Sequence, residues 1–134
     1  MTAGYSGTPL PAKLGIKPAT RLLVLGAYPV ADLGALPADV TVDRGAGTGP
    51  YEVALLFCPD VATLHRRFVA TAARLTTAGA LWVCWPKKAS GQLTDLTEKH
   101  VRDHGLEAGL VDVKVAAIDA TWSGLKFVRR LAQR

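Results

Sequence analysis

Three short apolar runs constrain the fold of this chain more than any other feature. They cover residues 21–26, 51–58 and 80–85, and within each run apolar side chains follow one another almost without interruption. Unbroken runs of this length are typical of strands that are buried on both faces, as in the centre of a parallel sheet. The pattern therefore predicts an α/β fold built around such a sheet.

One helix is predicted between the second and third runs. Asp60 is a residue type that caps helices, apolar residues recur at helical spacing from Val61 to Leu75, and Gly79 is expected to end the helix. A strand, a helix and a strand within about 35 residues form the crossover unit that connects parallel neighbours. A brief strand at residues 40–42 is expected nearer an edge of the sheet.

The last quarter of the chain follows a different pattern. Residues 111–115 and 125–129 tend to alternate apolar and polar side chains, which predicts strands with one solvated face. The connection between them is too short for a crossover helix, so an antiparallel hairpin is expected. A helix capped by Asp95, with Glu98 three residues on, precedes the hairpin and is expected to end at Gly105.

Residues 1–20 are expected to form an N-terminal arm with one short helix. Thr8 is a good N-cap, Pro9 suits the first helical position and Gly15 suits the residue just past the end. Because no repeat and no second set of elements is visible, we expect one domain over residues 1–134.

Composition excludes several classes of protein. With 49% apolar and 20% charged residues the chain is not a disordered one. Its apolar runs are far shorter than a membrane span of about 20 residues, and no secretory signal is visible at the N-terminus. Cys58 and Cys84 both lie in apolar runs, which favours buried thiols in a reducing compartment. We therefore expect a cytoplasmic protein.

The turn after the third apolar run is the strongest candidate for a ligand site. Trp85, Lys87, Lys88 and Ser90 lie together at the carboxyl end of a central strand, where open α/β sheets bind ligands. Two lysines, a hydroxyl and an indole suit an anionic, partly aromatic ligand such as a nucleotide or a phosphorylated metabolite. The alternative is that Trp85 closes the end of the sheet and the lysines are solvated.

Two further segments carry candidate ligand-binding residues. Tyr5, Ser6 and Thr8 lie in a polar segment directly before a helix, which suits an anion-binding loop and equally a helix cap with a packed arm. Trp122 lies in the predicted hairpin loop. There it either covers the core beneath the hairpin or forms one wall of a recognition surface.

Groups suited to catalysis are sparse, and no catalytic residue is predicted. His65, His100 and His104 all lie on predicted helices, and the last two are four residues apart, a spacing that can bind metal. No glutamate completes an H-E-x-x-H motif, and a solvated helix face explains the histidines better. No metal site is therefore predicted.

The order of elements resembles that of class I S-adenosylmethionine-dependent methyltransferases, which have a Rossmann-like sheet. Residues 21–26 correspond to their first strand and residues 51–58 to the strand that borders the reacting centre. A second resemblance rests on motifs that span nearly the whole chain. In YSGTPL, KLGIK, GALWV, WPKKAS, TDLT, GLVDVKV and TWSGLK the chain is similar to a small bacterial family of unknown function. That family implies a fold and a compartment, but no established activity.

The methyltransferase resemblance implies an S-adenosylmethionine site after the first strand. Its cofactor-binding candidates here are Gly26 and Tyr28 in the turn, and Asp43 as the acidic residue that would hold a ribose. Such enzymes carry a glycine-rich turn at this point, so that the backbone can approach the cofactor closely. Only Gly26 matches, and Tyr28 and Pro29 add bulk. This departure favours a degenerate domain, and no cofactor is established.

Three functional hypotheses follow. The first is a non-catalytic methyltransferase-like domain that binds a small anionic ligand or a macromolecular partner near residues 85–90. The second is S-adenosylmethionine-dependent methylation. The third is a nucleic-acid-binding or regulatory protein, consistent with the net charge of +5, which would use Lys126, Arg129, Arg130 and Arg134.

Overall fold

Six strands form one sheet in the computed structural model, which describes residues 7–133. In chain order they are β1 (Arg21–Leu25), β2 (Thr41–Asp43), β3 (Tyr51–Phe57), β4 (Leu75–Pro86), β5 (Leu110–Ala117) and β6 (Trp122–Arg129). Across the sheet the order is β2-β1-β3-β4-β6-β5. The first four strands are parallel, β6 is antiparallel to β4, and β5 is antiparallel to β6. The predicted α/β fold, a mainly parallel sheet that ends in an antiparallel hairpin, is confirmed.

Three α-helices accompany the sheet in the described part of the chain. They are α1 (Leu10–Lys13), α2 (Val61–Ala72) and α3 (Glu98–Glu107), with 3-10 turns at Val30–Leu33, Lys88–Ser90 and Leu131–Gln133. As predicted, α2 connects the parallel neighbours β3 and β4, and the short β2 lies at an edge. No helix within residues 7–133 is long and apolar enough to cross a membrane.

The central strands are apolar throughout because both faces of the sheet are covered. Leu23 of β1 belongs to a buried cluster with Phe68 of α2, whereas its neighbour Leu22 belongs to the cluster on the opposite face. That second cluster includes Trp82 and Leu14, and the Trp82 indole Nε1 donates a hydrogen bond of 3.1 Å to the Leu14 carbonyl. The N-terminal arm is thereby held against the sheet.

The N-terminal helix begins later than predicted. Pro9 occupies the N-cap position of α1, so Thr8 is not its cap. Gly15 follows the helix with φ +79°, as predicted, and its N–H donates to the Ala12 carbonyl at 3.1 Å. The Ile16 N–H donates to the Pro11 carbonyl at 2.9 Å, which completes a Schellman end. Tyr5 and Ser6 lie outside the described residues.

The second helix ends earlier than predicted. α2 stops at Ala72, and Leu75 already belongs to β4, so Gly79 lies within a strand. The register between β3 and β4 shifts in this part of the strand. A Cβ on Gly79 would lie 2.9 Å from the Tyr51 carbonyl oxygen. Glycine is required here by the close approach of β3 and not as a helix terminator.

The third helix begins and ends later than predicted. Thr97, not Asp95, is the N-cap of α3, and its hydroxyl accepts from the His100 N–H at 3.1 Å. The Asp95 carboxylate instead accepts from the Val61 N–H at 2.8 Å, in the first turn of α2. Gly105 is buried inside α3, and the helix ends at Glu107. A glycine is required at position 105 because any side chain there would collide with the Phe127 ring. It does not end the helix.

Candidate functional site

The carboxyl ends of β1, β2 and β3 meet at one edge of the sheet. Gly26 follows β1, Arg44 follows β2, and Asp60 begins α2 shortly after β3. The Asp60 carboxylate accepts from the Thr63 N–H at 2.8 Å and from its hydroxyl at 2.6 Å. These hydrogen bonds lower the pKa of the Asp60 carboxyl. The cap fixes the first turns of α2 at the edge where open α/β sheets bind ligands.

Two adjoining cavities lie between the Gly26 turn and α2. The larger has a volume of about 550 Å³ and the smaller about 280 Å³. We call the two cavities together the arginine cleft. Both are lined by Gly26, Ala27, Arg66 and Arg67.

Four guanidinium groups surround the larger cavity, those of Arg44, Arg66, Arg67 and Arg74. The ion pairs found among residues 7–133 join other side chains, on α3 and β5. Among the same residues, no aspartate or glutamate lines either cavity. A group of arginines without carboxylate partners attracts anions, and the planar guanidinium suits phosphate oxygens in particular.

Two of these arginines are fixed by the fold and two are available for binding. Arg44 donates to the Tyr28 and Gly26 carbonyls, each at 2.7 Å, and Arg74 donates to the Gly47 carbonyl. The guanidinium groups of Arg66 and Arg67 form no hydrogen bond or ion pair among the described residues, although Arg66 interacts electrostatically with Asp60. Their guanidinium groups can turn to a ligand without breaking an existing contact.

The Gly26 turn is packed against β3. Gly26 has φ +107°, and a Cβ there would lie 2.8 Å from the Phe57 Cβ and 2.9 Å from the Phe57 carbonyl oxygen. The Tyr28 ring is buried and stacks on the Phe57 ring, with centroids 4.3 Å apart and planes 6° apart. Gly26 and Tyr28 therefore both take part in packing the turn against β3, and Gly26 also lines the cleft.

Asp43, the candidate ribose ligand, ends β2 but does not line the cleft. Its carboxylate accepts a hydrogen bond from the Tyr51 hydroxyl. Burial and the neighbouring Asp43 raise the pKa of Tyr51. A Cβ on Gly47 would overlap the Asp43 carboxylate, so the loop after β2 packs closely over this group.

Aromatic side chains form the other end of the cleft. Trp122 and Phe57 line the smaller cavity, and their rings meet edge to face with centroids 5.1 Å apart. Trp122 is the first residue of β6 and not a loop residue, and it is half-buried. It therefore packs on the core and also forms a wall of the cleft. Its packing on the core agrees with the first alternative considered for this residue, while a role in recognition stays a prediction.

The turn at residues 85–90 lies beside a separate cavity of about 490 Å³. Trp85 is buried in the core, Lys88 is exposed, and the Ser90 hydroxyl donates to the Lys87 carbonyl at 2.6 Å. Trp85, Lys87 and Lys88 line this cavity, whereas Ser90 does not. Carboxylates of Asp95 and Glu98 line it as well, so its charge is mixed.

The remaining predicted binding residues are dispersed. Thr8 is exposed and lines a third cavity of about 260 Å³ beside α1. Arg129 donates to the Ala72 and Thr76 carbonyls at 3.0 and 2.8 Å, and Arg130 donates to the Gly109 carbonyl at 3.2 Å. Lys126 is half-buried, and burial and the nearby Lys114 lower its pKa. Arg134 lies outside the described residues.

The arginines of the cleft are the groups that sequence reasoning missed. No role was assigned to Arg66 and Arg67, which fall off the apolar stripe of α2. A stronger signal was their position in the second turn of a helix that follows a central strand. That position brings side chains to the carboxyl edge of the sheet. The three histidines are described below with the inference that rests on them.

No protein-family model matches the sequence, and no curated protein is similar to it at a significant level. The resemblance to a small bacterial family therefore stays a prediction. Solved structures do match. The pyocyanin biosynthetic protein PhzM aligns with 90% of this chain at a TM-score of 0.62 and 11% identity, and this chain spans 53% of its length. The fold is a methyltransferase fold.

Two other structures show the same likeness. A 1,6-didemethyltoxoflavin-N1-methyltransferase from Burkholderia thailandensis, solved with S-adenosylhomocysteine, matches 90% of this chain and is itself covered to 74% (TM-score 0.56, 15% identity). An rRNA methylase from Streptococcus thermophilus matches 94% of this chain and is covered to 99% (TM-score 0.56, 9% identity). At such identities the likeness concerns the fold alone.

Proposed function

We propose that this methyltransferase-like domain binds a small phosphate-bearing ligand with a planar aromatic part, such as a nucleotide, and does not transfer methyl groups. The observation that carries the proposal is the arginine cleft. Four arginines line its larger cavity, no carboxylate of the described chain lines either cavity, and the guanidinium groups of Arg66 and Arg67 form no hydrogen bond or ion pair among the described residues. Charge-assisted hydrogen bonds to phosphate are among the strongest that side chains form.

The two ends of the cleft suit the two parts of such a ligand. Phosphate oxygens would lie beside Arg66 and Arg67, with the positive charge of Arg44 and Arg74 close by. A planar base would lie towards Trp122, which lines the smaller cavity and is half-buried, so that it could pack on the indole. Both cavities together are within the range of about 300–1,000 Å³ that is usual for small-molecule sites.

S-adenosylmethionine, the cofactor that the fold implies, fits these residues poorly. It carries a positively charged sulfonium, and the cleft concentrates positive charge. The space that a side chain at Gly26 would take is already filled by Phe57, so this glycine does not leave a cradle for a ligand. Asp43 is engaged by the Tyr51 hydroxyl and stands outside the cleft. We derive no methyl-transfer step for this chain.

Calorimetry with ATP, inorganic pyrophosphate and S-adenosylmethionine tests the proposal. We expect ATP to bind more tightly than pyrophosphate, because only ATP has a base. Replacing Arg66→Gln and Arg67→Gln together should weaken ATP binding roughly 100-fold, since each hydrogen bond to a charged group contributes about 1.5–3 kcal/mol. A matched variant, Lys17→Gln with Lys114→Gln, removes the same charge from exposed positions elsewhere and should bind ATP normally.

A third variant, Lys87→Gln with Lys88→Gln, tests the turn at residues 85–90. Loss of ATP binding in this variant, with full binding in the Arg66 and Arg67 variant, would move the site to that turn and contradict the cleft. Unchanged binding of all three variants would contradict both positions. If the Lys17 and Lys114 variant also binds ATP more weakly, the affinity depends on total charge alone. That result would indicate non-specific electrostatic attraction and contradict the proposal.

A second candidate function is S-adenosylmethionine-dependent methylation, which the shared fold favours. The neighbour from Burkholderia thailandensis is a methyltransferase solved with the demethylated cofactor product. The same calorimeter decides between the two candidates. Heat on adding S-adenosylmethionine, abolished by Gly26→Val or by Asp43→Asn in a folded protein, would overturn the first proposal and support the second.

A further inference from the structure

Three histidines from two helices form one cluster at the surface. His65 lies on α2, and His100 and His104 lie on α3. The His65 and His104 rings stack with centroids 4.5 Å apart and planes 12° apart. The His65 and His100 Nε2 atoms face each other at 3.3 Å. The packing of α2 against α3 brings together residues that are 35 and 39 positions apart.

We propose that His65 and His100 form a binding site for a divalent transition-metal ion that joins α2 to α3. Imidazole nitrogens bind Zn²⁺ at about 2.0–2.1 Å in tetrahedral geometry, which places two such nitrogens about 3.3–3.4 Å apart. The Nε2 atoms of His65 and His100 already have this separation. Little movement of either ring is needed for both nitrogens to bind one ion.

The remaining coordination positions fall to water. No group of three His, Cys, Asp or Glu side chains within residues 7–133 is arranged to hold a metal ion, so the protein supplies two ligands. The site opens onto a cavity of about 380 Å³, which has room for water. His104 lines the same cavity, and its Nε2 is buried without a hydrogen-bond partner among the described residues.

The surrounding charges are compatible with a cation. Carboxylates of Asp103 and Glu107 line the cavity, and Lys99 is paired with Asp103 at 2.5 Å. Imidazole ligands favour Zn²⁺, Cu²⁺ and Ni²⁺ over Mg²⁺ and Ca²⁺, which prefer oxygen. We therefore expect a site of moderate affinity that discriminates against the two alkaline-earth ions. It is independent of the arginine cleft.

Titration of tag-free protein with Zn²⁺ near neutral pH tests the inference. One ion should bind per chain and raise the Tm, while Mg²⁺ should have no effect. Each of His65→Gln and His100→Gln should weaken Zn²⁺ binding at least tenfold. His104→Gln should weaken it less, because this residue supplies no ligand and only packs against the His65 ring. Acidification should also weaken binding, because imidazole must be deprotonated to hold a metal ion.

The variant Lys17→Gln with Lys114→Gln serves as the control, because it changes exposed side chains away from the cluster without removing an imidazole. It should bind Zn²⁺ like the parent chain. Imidazole ¹⁵N spectra add a readout that does not depend on stability, since Zn²⁺ should shift the Nε2 signals of His65 and His100 together. Unchanged signals, or an affinity that survives both His65→Gln and His100→Gln, would overturn the proposal. Either result would mean that the 3.3 Å contact between the His65 and His100 Nε2 atoms is a hydrogen bond between two imidazoles.

Discussion

Several glycines in this chain are required by close packing between elements. Gly105 of α3 faces the Phe127 ring of β6, and Gly26 faces the backbone of Phe57. By sequence alone, a glycine near the end of an apolar pattern is interpreted as a terminator, which is correct at Gly15 and wrong at Gly79 and Gly105. The difference lies in the backbone, since Gly15 has positive φ and the other two do not.

Replacing Gly105→Ala should therefore destabilise the protein. Glycine to alanine inside an exposed helix stabilises by about 1 kcal/mol, but here the new methyl overlaps the Phe127 ring, and overpacking costs about 1–3 kcal/mol. Urea unfolding measures the difference in free energy. In a Phe127→Leu background the methyl has more room. Adding Gly105→Ala there should therefore lower the free energy of unfolding less than it does in the parent chain. A stabilised Gly105→Ala protein would show that the two elements are not in close contact.

Side chains from distant parts of the chain bond to both ends of α2. Asp95 was predicted to cap α3, but it accepts from the first N–H of α2, and Thr97 caps α3 instead. Both assignments use residue types that cap helices, and only the position of α2 next to the loop before α3 selects between them. The C-terminal end of α2 is likewise held by Arg129 of β6, which donates to the Ala72 carbonyl.

Thr97→Ala should lower the free energy of unfolding by about 1 kcal/mol, because the His100 N–H loses its acceptor. Thr77→Ala is the matched control, since Thr77 is exposed and forms no hydrogen bond with another described residue. Its effect should stay within about 0.5 kcal/mol. Chemical denaturation of the two variants compares them directly. Equal stabilities would mean that Thr97 is not the working cap.

At the scale of the whole molecule, the sheet is buried on both faces along its central strands. Cys58 follows β3 and Cys84 lies in β4, both are free, and neither is exposed. Burial raises the pKa of the Cys58 thiol to about 12, with a further contribution from Asp60, and raises that of Cys84 well above its usual range. The predicted pair of buried thiols is confirmed, while the cytoplasmic location stays a prediction.

The two thiols should report global unfolding. Because the thiolate is the reactive form, neither cysteine should react with a thiol reagent at neutral pH in the native protein. In increasing urea both should become reactive together, at a rate that follows the unfolding equilibrium. Mass spectrometry of the labelled protein distinguishes singly from doubly modified chains. A singly labelled native protein would show that one side of the sheet opens locally.

The methyltransferase fold could be predicted from the sequence because its main evidence is periodic. Unbroken apolar runs and alternating runs depend on whether one or both faces of a strand are covered, and each run carries that information within six to eight residues. This is why the strands, their parallel or antiparallel pairing and the edge position of β2 were predicted correctly. Helix ends were less accurate, since several neighbouring residues are suitable caps or terminators and tertiary contacts select among them.

The candidate ligand sites were predicted at the carboxyl edge of the sheet, and the arginine cleft lies at that edge with mostly other residues. A ligand site depends on side chains that meet only after folding, and no local pattern records that Arg44, Arg66 and Arg74 surround one cavity. The same holds for His65 and His100, which α2 and α3 bring to 3.3 Å. The sequence by itself determined which strands are buried on both faces and which on one, through the periodicity of burial. The tertiary structure alone decided which charged groups meet, because their contacts join positions far apart along the chain.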